Sequence, residues 1–308
     1  MTKDLTSMND LSRDEITGLL EAARDLKRQL KKKPRIPVAE GRMAVLVFEK
    51  PSLRTRVTFE VAMRQLGGSA LYLGPSDIGL GVRESVADVA RNLSRWVDCI
   101  VARVFEHEKI TELAANADIP VVNALSDAEH PCQVLADLLT VLEVHGSLEG
   151  ATIAWTGDGN NVCNSLMLGC ALTGVNLRVA TPRGFEPPSA VIARAETYAR
   201  ASGASLTLTY EPAEAAAGAD FVYTDVWASM GQEEEAAQRR KIFAPFQLNA
   251  ALLARAKPDA RVLHCLPAHR GEEITDEVVD GPRSVVLDQA ENRLHAQRAL
   301  LHRLLGRR

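Results

Sequence analysis

The most distinctive chemistry in the sequence is a cluster of two arginines and two hydroxyl side chains in Ser52–Arg56, SLRTR. Pro51 disfavours helix before this point and Ser52 is a good N-cap, so the segment is predicted to begin a helix. The free N–H groups and positive dipole of a helix N-terminus suit a phosphate, and arginine adds charge-assisted hydrogen bonds. The pattern therefore predicts a phosphate site, and the alternative is a capped helix with exposed arginines.

A histidine stands directly before another predicted helix start. In His130–Gln133, HPCQ, Pro131 occupies the first helical position, which proline favours. His130 could then donate a hydrogen bond to a carbonyl oxygen, with Gln133 one turn along on the same side. The alternative is a histidine with a structural role. A metal site is not expected, because no second ligand lies at a suitable spacing.

A glycine-containing loop, Gly157–Asn161, follows a strand-like run and at first matches a dinucleotide-binding fingerprint. The match fails because Val162 occupies the third glycine position and the next strand ends near Arg183 instead of at an acidic residue. A nicotinamide cofactor is therefore not expected. The two adjacent asparagines indicate a tight turn whose side-chain amides could hold a polar substrate.

Two more polar segments follow predicted strands. Asp225, in Asp225–Gly231 (DVWASMG), supplies a carboxylate that suits an amine. Cys265, in His264–Pro267 (HCLP), could be a reactive thiol, a ligand for a soft metal or a packed side chain. Neither segment alone identifies a reaction.

Short β-branched runs alternate with longer amphipathic patterns, which is typical of parallel sheets covered by helices. Ten strands are predicted: Met43–Phe48, Ala70–Leu73, Cys99–Val104, Pro120–Leu125, Thr152–Thr156, Leu177–Thr181, Leu206–Tyr210, Asp220–Thr224, Arg261–Cys265 and Ser284–Leu287. This number fits two sheets, with a boundary at His145–Gly150. The expected fold class is α/β, with two doubly wound parallel-sheet domains. Because ligands bind outside the carboxyl ends of such strands, the active site is expected in the cleft between the domains.

The composition of the chain argues against several classes of protein. The 308 residues are 46% hydrophobic, as in an ordinary globular protein, and the net charge is −4, so no basic field favours nucleic acid. The basic run Lys31–Lys33 is interpreted as a solvated helix end. No apolar stretch approaches the roughly 18 residues of a membrane span, and the N-terminus lacks a signal-peptide core. Five cysteines without CxxC spacing argue against a disulfide framework, so a cytoplasmic location is expected.

Together, SLRTR, HPCQ and HCLP closely resemble the signatures of the aspartate/ornithine carbamoyltransferase family, and they occur in the family's order. The Asp225–Gly231 loop resembles the Ser-Met-Gly loop of the ornithine branch. The resemblance extends from about Leu5 to the C-terminal helix. It implies transfer of the carbamoyl group of carbamoyl phosphate to the side-chain amine of L-ornithine, giving L-citrulline and phosphate, with no cofactor.

The resemblance also implies a domain plan and an assembly. Residues 1–148 would bind carbamoyl phosphate, residues 149–288 would bind ornithine, and the C-terminal helix, residues 289–308, would pack back on the first domain. The expected partners are the two small-molecule substrates and further copies of the chain, in a homotrimer or a multiple of trimers.

Site residues can be carried over from the family only where its signatures match this chain. The implied carbamoyl phosphate site comprises Ser52, Leu53 (through its backbone), Arg54, Thr55, Arg103, His130, Pro131, Cys132, Gln133 and Arg293. The implied ornithine site comprises Asn161, Asp225, Ser229, Met230, Cys265 and Leu266. The implied catalytic residues are Arg54, Arg103, His130, Asp225 and Cys265.

The implied reaction requires a neutral amine, and a side-chain amine with a pKa of about 10.4 is less than ~1% neutral at pH 7. Asp225 is the candidate that orients this amine. Negative charge then develops on the carbonyl oxygen of a tetrahedral intermediate. Arg103, Thr55 and His130 are the candidate hydrogen-bond donors to that oxygen.

The sequence departs from the family at one loop. Many ornithine enzymes carry a Gln-Leu-Gly loop that reaches the phosphate site of a neighbouring subunit, whereas this chain has Gly79 at the glutamine position. The glutamine contact is therefore either absent or replaced, and Arg83, in a glycine-flexible segment, is the candidate replacement. Leu53 stands where threonine is commoner, which is a mild change because only the backbone is needed.

Two other functions stay open from the sequence. One is a carbamoyltransferase for another amine, such as acetylornithine or putrescine. The other is a catalytically silent paralogue that serves as a binding or regulatory subunit. The charged residues retained in the signatures argue against this second alternative.

Overall fold

The structure, a computed structural model, describes residues 3–30, 35–228 and 235–306. The chain forms two compact units. Unit 1 comprises Met1–Leu139 and Glu291–Arg308, and unit 2 comprises Thr140–Ala290. Within the described ranges, no helix is long and apolar enough to cross a membrane. The predicted basic helix end at Lys31–Lys33 lies outside these ranges.

Unit 1 contains a four-stranded parallel sheet with the strand order β2-β1-β3-β4. Its strands are β1 Met43–Phe48, β2 Ser69–Leu73, β3 Cys99–Arg103 and β4 Val121–Leu125. In β1, Val45 pairs with Leu71 on one side and Ile100 on the other. β1 and β3 are buried along nearly their whole length, as expected for central parallel strands covered on both faces.

Several helices belong to unit 1 alone. They are α1 Arg13–Leu30, α2 Leu53–Gln65, α3 Pro75–Ile78, α4 Val86–Trp96 and α5 His107–Asn116, with a short 3-10 helix at Met8–Asp10. In α4, Val86, Val89, Ala90 and Leu93 are buried, at the helical spacing i, i+3, i+4 and i+7. Two longer helices, α6 Pro131–His145 and α13 Val286–Leu305, have residues in both units.

Unit 2 contains a five-stranded parallel sheet with the strand order β7-β6-β5-β8-β9. The strands are β5 Thr152–Thr156, β6 Asn176–Ala180, β7 Leu206–Thr209, β8 Phe221–Thr224 and β9 Arg261–His264. The helices are α7 Asn161–Thr173, α8 Ser189–Ser202, α9 Pro212–Ala216, α10 Ala236–Phe243, α11 Ala250–Leu253 and α12 Asp276–Val279, with a 3-10 turn at Ala244–Phe246. α7 is buried on almost every side, which is typical of a core helix.

The predicted fold class, α/β with two parallel sheets, is confirmed. Nine predicted strands are present, and the bounds of each differ from the prediction by at most one residue. The tenth, Ser284–Leu287, is wrong. Ser284 forms only an isolated bridge with Val262, and α13 already begins at Val286. A short apolar run does not differ in periodicity from the first turn of a buried helix, which is why the prediction failed.

Each sheet reverses its strand order once. In unit 1 the reversal lies between β1 and β3, and in unit 2 it lies between β5 and β8. Ligands of doubly wound sheets bind at such reversals, outside the carboxyl ends of the strands. The SLRTR segment follows β1 and Arg103 ends β3, whereas Gly157–Asn160 follows β5 and Asp225 follows β8. The topology thus places the polar segments of each unit at that unit's reversal.

Candidate active site

The first turn of α2 is built as the sequence predicts. Ser52 is the N-cap with an extended backbone, and its Oγ accepts a hydrogen bond from the N–H of Thr55 at 3.3 Å. Leu53 is the first residue of α2, and its side chain is 75% exposed. It therefore contributes its backbone N–H to the helix N-terminus, and its side chain points to solvent. Arg56 pairs with Glu60, one turn further along, at 2.9 Å. The N-terminus of α2 therefore presents the first-turn N–H groups that an anion requires.

A buried hydrogen-bond network connects three helices of unit 1. Arg293 of α13 is 3% exposed, and its guanidinium donates to Oγ1 of Thr55 in α2 at 3.0 Å. The same guanidinium donates to Oε1 of Gln133 in α6 at 2.6 Å. Nε2 of Gln133 donates in turn to Oδ1 of Asp137 at 2.8 Å. Three residues that the family resemblance implied separately therefore lie in direct contact.

Chemistry fixes the direction of each bond in this network. A guanidinium only donates, so Oγ1 of Thr55 and Oε1 of Gln133 act as acceptors toward Arg293. The hydroxyl hydrogen of Thr55 is then left for another acceptor. Nε2 of Gln133 likewise keeps a hydrogen beyond the one it gives to Asp137. A carbonyl oxygen that gains negative charge requires donors of this kind.

His130 precedes α6 and is 4% exposed. Burial, and then the nearby cations Arg293, Arg103, Lys50 and Arg54, hold the pKa of the His130 imidazole well below its usual value of 6.5. The ring is therefore neutral at pH 7, with one N–H donor and one acceptor nitrogen. The cations around it make a positively charged site that suits an anionic ligand.

Lys50 is a cation for which the sequence predicted no role. Its side chain is 9% exposed, and its ammonium lies 4.5 Å from the centre of the Phe105 ring. Burial, and then the charge of Arg103, lower the pKa of Lys50. Its place two residues before Ser52, in the turn after β1, was the signal in the sequence that could have identified it.

The loops after β1 and β3 are joined through Glu49. Arg103 pairs with Phe48 at the ends of these strands, and the N–H of Glu49 donates to the carbonyl of Arg103 at 2.9 Å. The Glu49 carboxylate accepts from the N–H of Phe105 at 2.8 Å and pairs with Lys109 at 2.7 Å. These contacts fix Arg103 next to the turn that leads into α2.

α13 contacts α2 at both ends of α2. Arg293 reaches Thr55 in the first turn, and Arg298 donates to Oε1 of Gln65, the last residue of α2, at 2.8 Å. Arg298 is 1% exposed, and burial lowers its pKa to about 10. The two arginines together fix the position of α2 relative to α13.

In unit 2, a chain of hydrogen bonds joins the segments after β5, β8 and β9. Asp225 is 6% exposed, and its carboxylate accepts from Nδ2 of Asn160 at 2.8 Å and from the thiol of Cys265 at 2.8 Å. Asn160 is also the N-cap of α7, where its Oδ1 accepts from the N–H of Val162 at 3.0 Å. Asn161, the predicted substrate residue, lies beside it as the first residue of α7.

Arg239 of α10 fixes the loop that contains Asn160, the N-cap of α7. Arg239 pairs with Asp158 at 2.8 Å and donates to the carbonyl of Trp227 at 2.8 Å. Burial raises the pKa of Asp158, and the charge of Arg239 opposes that rise. A Cβ on Gly159 would lie 2.4 Å from the backbone nitrogen of Pro187, so only glycine fits there.

The HCLP segment is fixed by a buried histidine–glutamate pair. Nδ1 of His264 accepts from the N–H of Leu266 at 2.9 Å, so Nε2 carries the ring hydrogen and donates to Oε1 of Glu273 at 3.0 Å. Leu266 has a φ of 57°, which is rare for leucine, and the Leu266–Pro267 peptide is cis. The pair thus fixes the backbone directly after Cys265.

Asp225, His264 and Cys265 place their ligand atoms within 4.8 Å of one another, close enough to share a metal ion. The thiol already donates to Asp225, and both ring nitrogens of His264 form hydrogen bonds within the protein. A metal would have to displace these bonds, so the arrangement favours a hydrogen-bond network over a metal site.

The two remaining residues of HPCQ are fully enclosed. Pro131 is buried as the first residue of α6. The Cys132 thiol donates to the carbonyl of Asn123 at 3.4 Å, and burial raises its pKa to about 12. The Cys132 side chain is thus a neutral packed thiol.

The structure arranges the predicted site residues in two groups. Unit 1 carries Ser52, Leu53, Arg54, Thr55, Arg103, His130, Pro131, Cys132, Gln133 and Arg293. Unit 2 carries Asn161, Asp225, Cys265 and Leu266. The predicted residues Ser229 and Met230 lie outside the described residues.

Asp137 lies in the first group without having been predicted, and Asn160 was predicted only as one of two asparagines that could hold a polar substrate, not as the cap of α7 that bonds to Asp225. For Asp137, the signal was a lone carboxylate one turn after Gln133, on the apolar helix α6. For Asn160, the signal was its place directly before a helix, where asparagine is a favoured cap.

Comparisons with known proteins cover nearly the whole chain. The family model for the carbamoyl-P binding domain of aspartate/ornithine carbamoyltransferases matches residues 3–143. The model for the Asp/Orn binding domain of the same family matches residues 149–304.

Individual relatives agree with these matches. The ornithine carbamoyltransferase of Bacillus subtilis is 53% identical over 303 residues, which are 98% of this chain and 94% of that protein. The solved structure of the ornithine carbamoyltransferase from Pyrococcus furiosus has a TM-score of 0.95 and 52% identity, covering 97% of this chain and 95% of that one. The structure of the anabolic enzyme from Campylobacter jejuni has a TM-score of 0.92 and 37% identity, covering 98% and 99%.

His130 should make folding sensitive to acid. Its pKa lies below the usual 6.5 in the folded protein, so below pH 6.5 the unfolded chain binds a proton that the folded chain does not. The free energy of unfolding should therefore fall as the pH drops from 7 to 5. One such proton contributes a slope of up to about 1.4 kcal/mol per pH unit. His130→Gln should flatten the dependence measured by urea denaturation.

His295 and His302 also have lowered pKa values, so part of the slope should survive in His130→Gln. The comparison variant is His269→Gln, which removes a half-exposed imidazole in unit 2. An equal slope in the wild type and in His130→Gln would show that His130 is protonated equally in the folded and unfolded states.

Proposed function

Because the chain belongs to the aspartate/ornithine carbamoyltransferase family, we propose that it transfers the carbamoyl group of carbamoyl phosphate to the side-chain amine of L-ornithine. The products are L-citrulline and phosphate. The observation that carries the proposal is the network of Thr55, Arg293 and Gln133 beside the neutral, cation-surrounded His130. It combines a site for an anion with donors for a carbonyl oxygen, and carbamoyl phosphate contains both groups.

In this proposal, unit 1 binds carbamoyl phosphate. The phosphate contacts the N–H groups at the start of α2 together with Ser52, Arg54, Thr55 and Arg103. The carbamoyl group contacts Arg103, His130, Gln133 and Arg293. The buried network supports these roles, because it leaves donor hydrogens on Thr55 and Gln133 after the internal bonds are made.

Unit 2 binds ornithine in this proposal, through Asn161, Asp225, Cys265 and Leu266, with Ser229 and Met230 from the DVWASMG loop. The charge of Asp225 supports an amine ligand, since a buried carboxylate gains from a nearby cation or donor. Asn160 and Cys265 hold this carboxylate from two sides, which fixes the direction in which it can accept a further hydrogen bond.

The reaction follows from these contacts. The neutral amine nitrogen of ornithine attacks the carbamoyl carbon and forms a C–N bond, while the carbonyl π electrons move onto the oxygen. Donors fixed at this oxygen are each worth about 2.7–4 kcal/mol in comparable sites. Collapse of the tetrahedral intermediate restores the C=O bond and breaks the C–O bond to phosphate, and the proton lost by the attacking nitrogen passes to the leaving phosphate. Arg54 and the N-terminus of α2 stabilise the leaving phosphate.

The same proposal assigns a role to each domain of the chain. Residues 1–148 form the carbamoyl phosphate domain, residues 149–288 the ornithine domain, and residues 289–308 return to the first domain. The hydrogen bonds of Arg293 and Arg298 with side chains of α2 support the packing of the C-terminal residues on the first domain.

The chain assembles as a homotrimer or a multiple of trimers. A cytoplasmic location is supported by the five free cysteines, since cytoplasmic thiols stay reduced.

The proposed substrate can be tested with a panel of amines. With carbamoyl phosphate, kcat/KM for L-ornithine should exceed that for acetylornithine, putrescine and L-aspartate. The margin over aspartate should be roughly 10³-fold or more, because a site built for polar partners rejects molecules that leave its groups unpaired. The Asp225 carboxylate would also repel a second acidic side chain.

Product formation is followed by chromatography for all four amines. Faster carbamoylation of acetylornithine or putrescine would assign the chain to another amine. Carbamoyl-aspartate formed as fast as citrulline would refute the ornithine assignment. No product with any amine would identify a silent paralogue.

The proposed assembly makes a second prediction, concerning Arg83. Gly79 ends α3 in the left-handed conformation (φ 53°), and its carbonyl accepts from the N–H groups of Val82 and Arg83 at 2.9 Å. The side chains of Val82 and Arg83 are exposed at the tip of this turn. We expect Arg83 to reach the phosphate bound by Arg54 of a neighbouring subunit, so Arg54→Ala and Arg83→Ala proteins should each be nearly inactive.

Exchange of subunits between the two inactive variants should restore a minority of the wild-type activity, because some hybrid sites combine an intact Arg54 with an intact Arg83. The control mixes Arg54→Ala with the double variant Arg54→Ala, Arg83→Ala, in which no complete site can form. Near-normal activity of Arg83→Ala alone, or no recovery after proven exchange, would show that Arg83 is only a surface charge.

A further inference from the structure

Asp137 is a buried carboxylate whose role neither the sequence nor the family resemblance indicates. It is 0% exposed and lies on α6 one turn after Gln133. Around it on α6, Val134, Leu138 and Val141 are apolar and buried, whereas Gln133 and Thr140 are polar and buried. A carboxylate is costly to bury in such surroundings unless its hydrogen bonds are satisfied, and one of its bonds is the 2.8 Å contact with Nε2 of Gln133.

This contact decides how the Gln133 amide is oriented. The oxygen end of the amide faces Arg293, which can only donate, and the nitrogen end faces Asp137, which in its ionised form can only accept. Rotation of the amide by 180° would set N–H groups against the guanidinium and an oxygen against the carboxylate. The two neighbours therefore exclude the reversed orientation.

The orientation extends through the rest of the network. With Oε1 of Gln133 fixed as an acceptor, Arg293 lies with one nitrogen on Gln133 and the other on Oγ1 of Thr55. The carboxylate of Asp137 and the guanidinium of Arg293 thus together set the directions of three hydrogen bonds, the last of which reaches the first turn of α2. Both Gln133 and Thr55 are left with a hydrogen to donate.

We propose that Asp137 is a positioning residue that fixes the Gln133 amide, so that the remaining N–H of Nε2 is presented to the carbamoyl group of the substrate. The inference rests on the proposed function, because it requires Gln133 to contact carbamoyl phosphate. Asp137 acts only through Gln133 and Arg293 and touches no substrate atom.

Two substitutions separate orientation from charge. Asp137→Asn removes the charge but keeps a carbonyl oxygen that can accept from Gln133, whereas Asp137→Leu has a similar volume and no acceptor. Asp137→Leu should lower kcat by roughly 10- to 100-fold, the range typical when a residue that orients a ligand-binding group is lost. Asp137→Asn should retain most of the wild-type kcat.

Inorganic phosphate serves as a probe that lacks the carbamoyl group. Its inhibition constant against carbamoyl phosphate should stay within about twofold of the wild-type value in both variants, since the N-terminus of α2 is unchanged. A general loosening of the site would weaken phosphate and carbamoyl phosphate together. This readout therefore separates positioning from a purely structural role.

The matched control is Asp98→Asn, at the opposite end of the unit 1 sheet. Asp98 directly precedes β3, pairs with Arg42 and accepts from the N–H of Met43 at 2.8 Å. Its substitution should lower the melting temperature without a selective change in kcat. Melting temperatures of all variants are measured at the assay pH.

The expected pattern is a selective loss of kcat in Asp137→Leu, with near-normal phosphate inhibition and recovery in Asp137→Asn. Asp137→Leu within twofold of the wild-type kcat would overturn the proposal. Equal impairment of both variants would assign Asp137 to charge compensation, and a parallel loss of phosphate affinity would assign it to folding of the site. A wild-type enzyme that forms no citrulline would refute the proposed function itself.

Discussion

The contact of the Arg293 guanidinium with Thr55 and Gln133 is the interaction on which the proposed carbamoyl phosphate site of unit 1 depends. It joins residues of α2, α6 and α13 that lie up to 238 positions apart in the sequence. A charged group that is 3% exposed must find acceptors inside the protein, and these two oxygens supply them. The C-terminal helix thus contributes a residue to the proposed site.

The protein's own hydrogen bonds orient the donors of this network. The bonds inside the network use the acceptor atoms of Thr55 and Gln133 and leave donor hydrogens, and burial among cations keeps His130 neutral. Donors that are already oriented need no reorganisation when negative charge develops on the carbonyl oxygen, which is the main source of electrostatic catalysis. The surrounding cations suit an anionic substrate.

The proposed ornithine site of unit 2 is organised around a carboxylate. Its carboxylate, Asp225, is held between an amide and a thiol that extend from neighbouring strands. The HCLP turn beyond it adopts a backbone conformation that leucine rarely adopts, and such strain persists where surrounding contacts fix it. Here the His264–Glu273 pair supplies one of those contacts.

Most of the strands and the cap of α2 could be predicted from the sequence, because each depends on residues close together in the chain. Nine strands were visible as β-branched runs, and the cap at Ser52 follows from its hydroxyl and the proline before it. What could not be predicted depends on partners distant in sequence. Only the fold shows that Gln133 lies between Arg293 and Asp137, or that Asn160 is the member of the asparagine pair that bonds to Asp225.

The incorrect prediction of a tenth strand has a related cause. The run Ser284–Leu287 has the composition of a strand, but the helical period that follows it extends back to Val286. α13 is fixed by the hydrogen bonds of Arg293 with Thr55 and of Arg298 with Gln65. These partners lie more than 200 residues away in the sequence, so a short apolar run alone does not reveal them.

The most direct test of the account is a double-mutant cycle on the Arg293–Gln133 contact. kcat/KM for carbamoyl phosphate is measured in the wild type, Arg293→Met, Gln133→Leu and the double variant. If the two side chains act as one unit, the double variant should be little worse than the more impaired single variant, with a coupling of at least about 1 kcal/mol. Effects that add to within about 0.5 kcal/mol would contradict the account, because the two residues would then contribute independently.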